Sequence, residues 1–340
     1  MTTYSNACTL IHRFAPGTSA KEVFRRWRIF MYSVIYPRAA WFWFQALSRQ
    51  SLLRALAAHN RRFAEKPFHR FGQANVSAST RARLISGHFT AVEQMLGRAL
   101  TNRIYLLGES VSLSSTPPYE IVLREPTRCW REGLLTVAWM DRRTGVDLAW
   151  ATVSIERSAQ TPSWVLLIGG LQGPAGSDRE CVRDATKACH GLRPKAAVIE
   201  ALCELCRLLN IPVLAAVAKG SHVSHARDKG FYADYDAFWR EVGGVKSGDR
   251  FILPRVMHHR EIDEVPSNRR AAFRRKRALI AEVLGQIQTS LGQEQSGRGR
   301  VKEPGPYGQN AGHLSTCELR DGHQPSRQET IAPGFCDDLI

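Results

Sequence analysis

The chain has 340 residues, 44% of them apolar or aromatic, and a formal net charge of +16. That content is ample for a substantial core and excludes a wholly disordered or fibrous chain. The charge is uneven: residues 1–70 hold twelve Lys or Arg against two acidic residues, about ten of the sixteen excess charges. A basic face of that kind draws anionic partners, whether lipid headgroups or nucleic acid.

Eight cysteines stand at spacings that form no disulfide framework, and no cleavable signal peptide opens the sequence. A reducing cytoplasm is therefore the expected compartment. Cys203 and Cys206 have the spacing of a zinc or redox half-site, but no second pair stands at a usable distance; core packing is expected, and no metal.

Thr18 or Ser19 can cap a helix that runs to about residue 36, with Val23, Trp27, Phe30 and Val34 forming one apolar stripe beside Arg25, Arg26 and Arg28. Pro37 should end or kink it. The window 29–47 is apolar enough to suggest a membrane span, but Arg38 at its centre and Pro37 beside it speak against one. Two readings stay open for this head. It is an amphipathic element on an anionic membrane surface, peripheral to the inner membrane, or a helical subdomain packed on the main fold with its aromatics in the core. The packed subdomain is the expectation.

A second helical pattern covers 80–100, capped by Ser79 or Thr80. After it the period changes to that of short antiparallel strands at 119–124, 133–140 and 147–156. Residues 164–168 read as a central strand stopped by Gly169, Gly170 and Gly173-Pro174. Helices follow at 178–190 and from Pro194 onward, then a strand at 213–218 expected to run parallel to the central one. A short helix near 231–239, a strand at 251–254 and a helix capped by Ser267 complete the order. The expected architecture is α+β, a mixed, mainly antiparallel sheet with packed helices and a GNAT-like core. Its divisions are a basic helical head (1–75), the core (76–290) and a disordered tail (291–340).

This order is similar to that of GNAT-type acyltransferases, which implies coenzyme A or an acyl carrier as cofactor and a loop that binds its phosphates. Gly191, Arg193 and Lys195, at the corner between two helices, are the candidates for that contact. Tyr232 or Tyr235 is the candidate for protonating a leaving thiolate. His222 and His225, with Asp228, Asp234 and Asp236 nearby, are candidates for a general base or a metal site. The six basic residues between Arg269 and Arg277 offer a weaker case for nucleic acid.

Five segments, Ile168-Gly-Gly-Leu-Gln-Gly-Pro174, Ala188-Cys-His-Gly-Leu-Arg-Pro-Lys195, Ser221-His-Val223, Ala233-Asp-Tyr-Asp-Ala-Phe-Trp239 and Glu264-Val-Pro-Ser-Asn-Arg269, resemble the VirK/YbjX family of Gram-negative bacteria over roughly residues 20–285. The resemblance implies a virulence- or stress-associated accessory protein acting on envelope properties, such as antimicrobial peptide resistance and display of surface factors. An envelope protein is then a further partner to expect. The resemblance brings no agreed reaction and no functional residue. An acyltransferase is the alternative.

Overall fold

The computed structural model describes residues 17–60, 62–158, 161–174, 179–224 and 234–296. Helix α1 (Ala20–Ile35) begins at Ser19, whose hydroxyl accepts the Glu22 N–H at 3.3 Å. Pro37 separates it from α2 (Pro37–Arg49), where the missing amide hydrogen costs nothing at the first helical position. α3 (Ser51–His59) follows, then a 3-10 segment, Phe63–Phe68. The fully buried Trp43 donates its indole N–H to the Ala64 carbonyl at 2.8 Å. Trp43, Leu47, Leu53 and Phe63 share one apolar core with Phe89 and the strands, so the head is joined to the rest by packing.

The expected helix at 80–100 is two helices, α4 (Ala78–Leu96) and α5 (Arg98–Tyr105). Its cap is Ser77, accepting the Thr80 N–H, not Ser79 or Thr80. Gly97 sits between the two helices at φ 81, a left-handed conformation that breaks the first.

Eight strands then build one sheet in the order β1-β2-β3-β4-β5-β6-β8-β7. They are β1 (Val111–Thr116), β2 (Tyr119–Arg124), β3 (Leu135–Asp141), β4 (Val146–Arg157), β5 (Trp164–Gln172), β6 (Val213–Val217), β7 (Val245–Ser247) and β8 (Arg250–Leu253). Every neighbouring pair is antiparallel except β5 and β6, which run parallel with Val165 opposite Val213 and Ile168 opposite Ala216. The parallel step needs a crossover, and α6 (Arg179–Ala188) and α7 (Pro194–Leu208) supply it. α8 (Tyr235–Glu241) and α9 (Arg270–Gln295) complete the fold.

Three expectations are corrected. Gly169 and Gly170 do not stop β5, which runs through them to Gln172 and ends before Gly173-Pro174. Their missing side chains make room for Glu132, since a Cβ on either would collide with it. Ser267 does not cap the last helix; it opens a 3-10 turn, and α9 starts at Arg270. The core also outlasts the boundary expected at 290, because α9 continues to Gln295 with Leu291 only 1% exposed. The remainder of the expected tail lies outside the described residues.

The alternating β4 places Ala149, Ala151, Val153 and Ile155 in the main core beneath α4 and α7. Its other row, Trp150, Thr152, Ser154 and Glu156, is buried as well, so neither face of this strand meets solvent. The loop at 71–74 and the turn at 219–222 are tied together by a Gln73–His222 bridge, and Arg250 joins Gln73 to Glu156. Among the described residues no helix is long and apolar enough to cross a membrane.

Candidate functional site

Two expected catalytic candidates, His222 and Tyr235, come together at the parallel step of the sheet. His222 follows β6 and is 1% exposed. Its Nδ1 accepts the Ser224 N–H at 3.2 Å, so the neutral ring carries its proton on Nε2, 3.5 Å from Glu132 Oε1. Tyr235, the first residue of α8, lies with its ring centre 5.3 Å from that of His222 and stacks on Trp239. Its oxygen accepts the Leu171 N–H at 3.3 Å, and burial, with the Glu132 charge adding to it, pushes the phenol far above its ordinary range. Gln172, at the end of β5, donates to Glu132 Oε1 at 2.9 Å. Glu132 Oε2 has no hydrogen-bond partner among the described residues, and neither do the buried hydroxyls of Thr152 and Ser154 on the neighbouring face of β4.

A carboxylate, an imidazole and a phenol are thus gathered at one place, the residue types that proton transfer uses. Sequence reasoning found the histidine and the tyrosine and missed Glu132, which stands in an irregular turn before β3. The available signal was the Gly169-Gly170 pair, since glycines inside a strand mark close approach by another group.

The other candidates separate. Tyr232, His225 and Asp228 lie outside the described residues. Gly191, at φ 87, closes α6 by donating its N–H to Thr186 O at 2.8 Å, while the N–H groups of His190 and Leu192 bond to Lys187 O and Cys189 O. These amides at the corner are thus engaged within the chain. Arg193 pairs with Glu241 at 2.9 Å on the surface, and Lys195 lies half-buried over the Phe238 ring. Asp234 caps α8, and Asp236 accepts the Lys219 N–H. Cys203 and Cys206 are buried, their thiols pushed up to about 12 by burial. No group of three or more metal-binding side chains assembles among the described residues. In the basic start of α9, Arg274 and Arg275 are exposed, whereas Lys276 and Arg277 lie close enough to the buried Glu200 to act on its charge.

The head presents a second feature. The buried side of α1 carries Glu22, Ile29, Arg25 and Tyr32, while Val23, Phe24, Trp27, Phe30, Val34 and Ile35 point outward. Trp27 and Phe30 are 56% and 57% exposed, and Trp41 of α2 joins them. Eight of the thirteen large apolar side chains exposed among the described residues fall between 23 and 41. Scattered apolar residues are ordinary on a surface, but a contiguous patch marks an interaction site. From 23 to 64 the sequence contains eight arginines and no acidic residue. The aromatics expected in the core are therefore divided: Trp43 and Phe44 are inside, whereas the stripe on α1 is outside.

Residues 18–289 match a family described as protein of unknown function, DUF535. The chain belongs to this family. It is similar to the uncharacterized protein YbjX of Escherichia coli strain K12, at 28% identity over 276 residues, covering 78% of this chain and 82% of YbjX. Two uncharacterized proteins of Haemophilus influenzae match shorter stretches, at 34% over 131 residues and 30% over 129. The segments that resemble the VirK/YbjX family all lie inside the matched region, as do the Glu132–His222–Tyr235 group and the outward face of α1.

Proposed function

We propose that the protein is an envelope accessory factor that works at an anionic membrane surface, with its head lying on the lipid. The outward apolar face of α1 carries this reading. A helix with Trp and Phe on its outward side suits the boundary between headgroups and acyl chains, and anionic lipid matches the surplus of arginine across the head. Nothing in that arrangement needs a transmembrane span. Flotation of the full chain with phosphatidylglycerol vesicles, and not with phosphatidylcholine vesicles, is the expected result, weakening as salt is raised. Equal recovery with neither or both vesicle types counts against it.

The Glu132–His222–Tyr235 group favours a second reading, acyl transfer from coenzyme A or an acyl carrier. It lies where the parallel strands β5 and β6 adjoin, and Tyr235 supplies the phenol that the GNAT-like reading assigns to a leaving thiolate. A thermal shift with acyl-CoA supports this reading; none, together with no release of free thiol, opposes it.

A further inference from the structure

Behind α1 lies a pair of adjoining cavities between head and sheet. The inner one, about 230 Å³, is lined by Phe63, Phe89, Leu134 and Trp130 together with Lys66 and Tyr105. The outer one, about 550 Å³, is walled by Lys21, Arg25, His59 and Glu22. Asn60, Arg62, Tyr105 and Glu125 belong to both. Together they fall in the size range of small-molecule pockets, about 300–1,000 Å³.

The inner cavity is rich in donors and poor in acceptors. Lys66 is 6% exposed. Its Nζ gives one hydrogen bond, to Trp130 O at 2.7 Å, and lies 4.7 Å from the ring centres of Phe71 and Trp130. Among the described residues no carboxylate lies within 4 Å of it, so its remaining N–H groups face only those two rings. Tyr105 is 2% exposed. His88 Nδ1 accepts the Ile155 N–H at 3.0 Å, so its proton sits on Nε2 and is given to the Tyr105 oxygen at 2.9 Å. Burial holds His88 neutral, with a pKa of about 3, which fixes that direction. The phenolic proton of Tyr105 therefore has another acceptor to find, and no other partner is present among the described residues. Asn60 spends its side-chain oxygen on the Arg62 N–H, leaving its amide hydrogens. Glu125 is the one carboxyl common to both chambers; burial raises its pKa, against the opposing charges of Lys66 and His59.

We infer that these cavities bind an organic oxyanion on a short apolar body, its charged oxygens set against Lys66 and Tyr105 and its apolar part against Phe63, Phe89 and Leu134. Buried donors without acceptors are costly, and an anionic oxygen satisfies both residues at once. The basic outer wall directs an anion inward, and the apolar lining selects against a bare inorganic one. The shared chemistry is a carboxylate or phosphate head; a free metabolite and a lipid differ only in the body attached to it.

The test is calorimetric titration of the full chain with octanoate, octyl phosphate, octanol, inorganic phosphate and a short-chain phosphatidic acid. Octanoate or octyl phosphate should bind at least tenfold more tightly than octanol, and inorganic phosphate should not register. The phosphatidic acid distinguishes a lipid source from a free one by whether its second chain is accepted. Tyr105→Phe, which keeps the ring, and Lys66→Met should each weaken octanoate about tenfold or more, the loss of a hydrogen bond to a charge. Octanol binding as well as octanoate, or octanoate binding unchanged in Tyr105→Phe that retains wild-type stability, would overturn the assignment. Failure of every amphiphile to bind would overturn it too. Since Tyr105 and Lys66 lie off the outward face of α1, vesicle flotation by either variant should stay at the wild-type level, so the two proposals fail separately.

Discussion

Glu65 lies beneath α1 and takes Arg28 on one carboxylate oxygen and Arg25 on the other, the latter at 3.4 Å. Its side chain is 2% exposed, and His69 approaches it at 3.6 Å. This contact turns the arginine side of α1 toward the protein, and the apolar side then has only one direction left. A helix that would ordinarily bury Val23, Trp27, Phe30 and Val34 displays them instead.

Glu65→Gln tests that arrangement. The substitution leaves two guanidinium groups against a neutral amide, at a cost of about 2 kcal/mol once their partial exposure is allowed for. Burial alone would raise the Glu65 pKa, but hydrogen bonds from His69 and Arg28 and the charges of both arginines outweigh it and hold the carboxyl below its usual 4.5. Its contribution is thus complete above that pH and is lost as the pH falls through the lowered value. Urea unfolding should show the variant clearly weaker at pH 7, with the gap to wild type narrowing as the pH falls below 4.5.

Lys66 has the opposite sign. Burial lowers its pKa to about 7, with Glu125 pulling the other way. Between about pH 7 and 10 the unfolded chain holds a proton there that the folded chain lacks, so wild-type stability rises with pH by up to about 1.4 kcal/mol per unit. Lys66→Met removes that rise. The difference between variant and wild type in denaturant unfolding should therefore move steadily in favour of wild type from pH 7 to pH 10.

The glycines of β5 make a packing prediction. Gly169→Ala drives a methyl group into the backbone of Glu132, whereas Gly220→Ala meets nothing within 4 Å. The first should cost about 3 kcal/mol or more and the second less than about 0.5 kcal/mol. Thermal unfolding of the two variants side by side checks it.

Much of the fold follows from local signals. The stop at Pro37, the cap at Ser19 and the alternation in β4 are set by residues within a few positions of the feature, and the parallel β6 follows from the helical crossover before it. What escaped local reading depends on distant partners. Periodicity reveals that α1 has an apolar stripe and says nothing of which way it faces; that is decided by Glu65, more than thirty residues on, in a segment without periodicity. Glu132 is hidden for the same reason, since its role depends on Gly169, Gly170 and His222, which reach it only through the sheet. β7 is three exposed residues and offers no pattern to read. The Lys66–Tyr105 cavity is assembled from five separate segments and leaves no motif.

The outward face of α1, as the proposed membrane contact, can be tested directly. The most direct measurement is flotation of Trp27→Glu/Phe30→Glu with phosphatidylglycerol vesicles, beside its unfolding curve. Both side chains are more than half exposed, so the double variant should keep its stability to within about 0.5 kcal/mol per site while losing vesicle recovery at least tenfold. Recovery equal to wild type from a stably folded double variant would contradict the account.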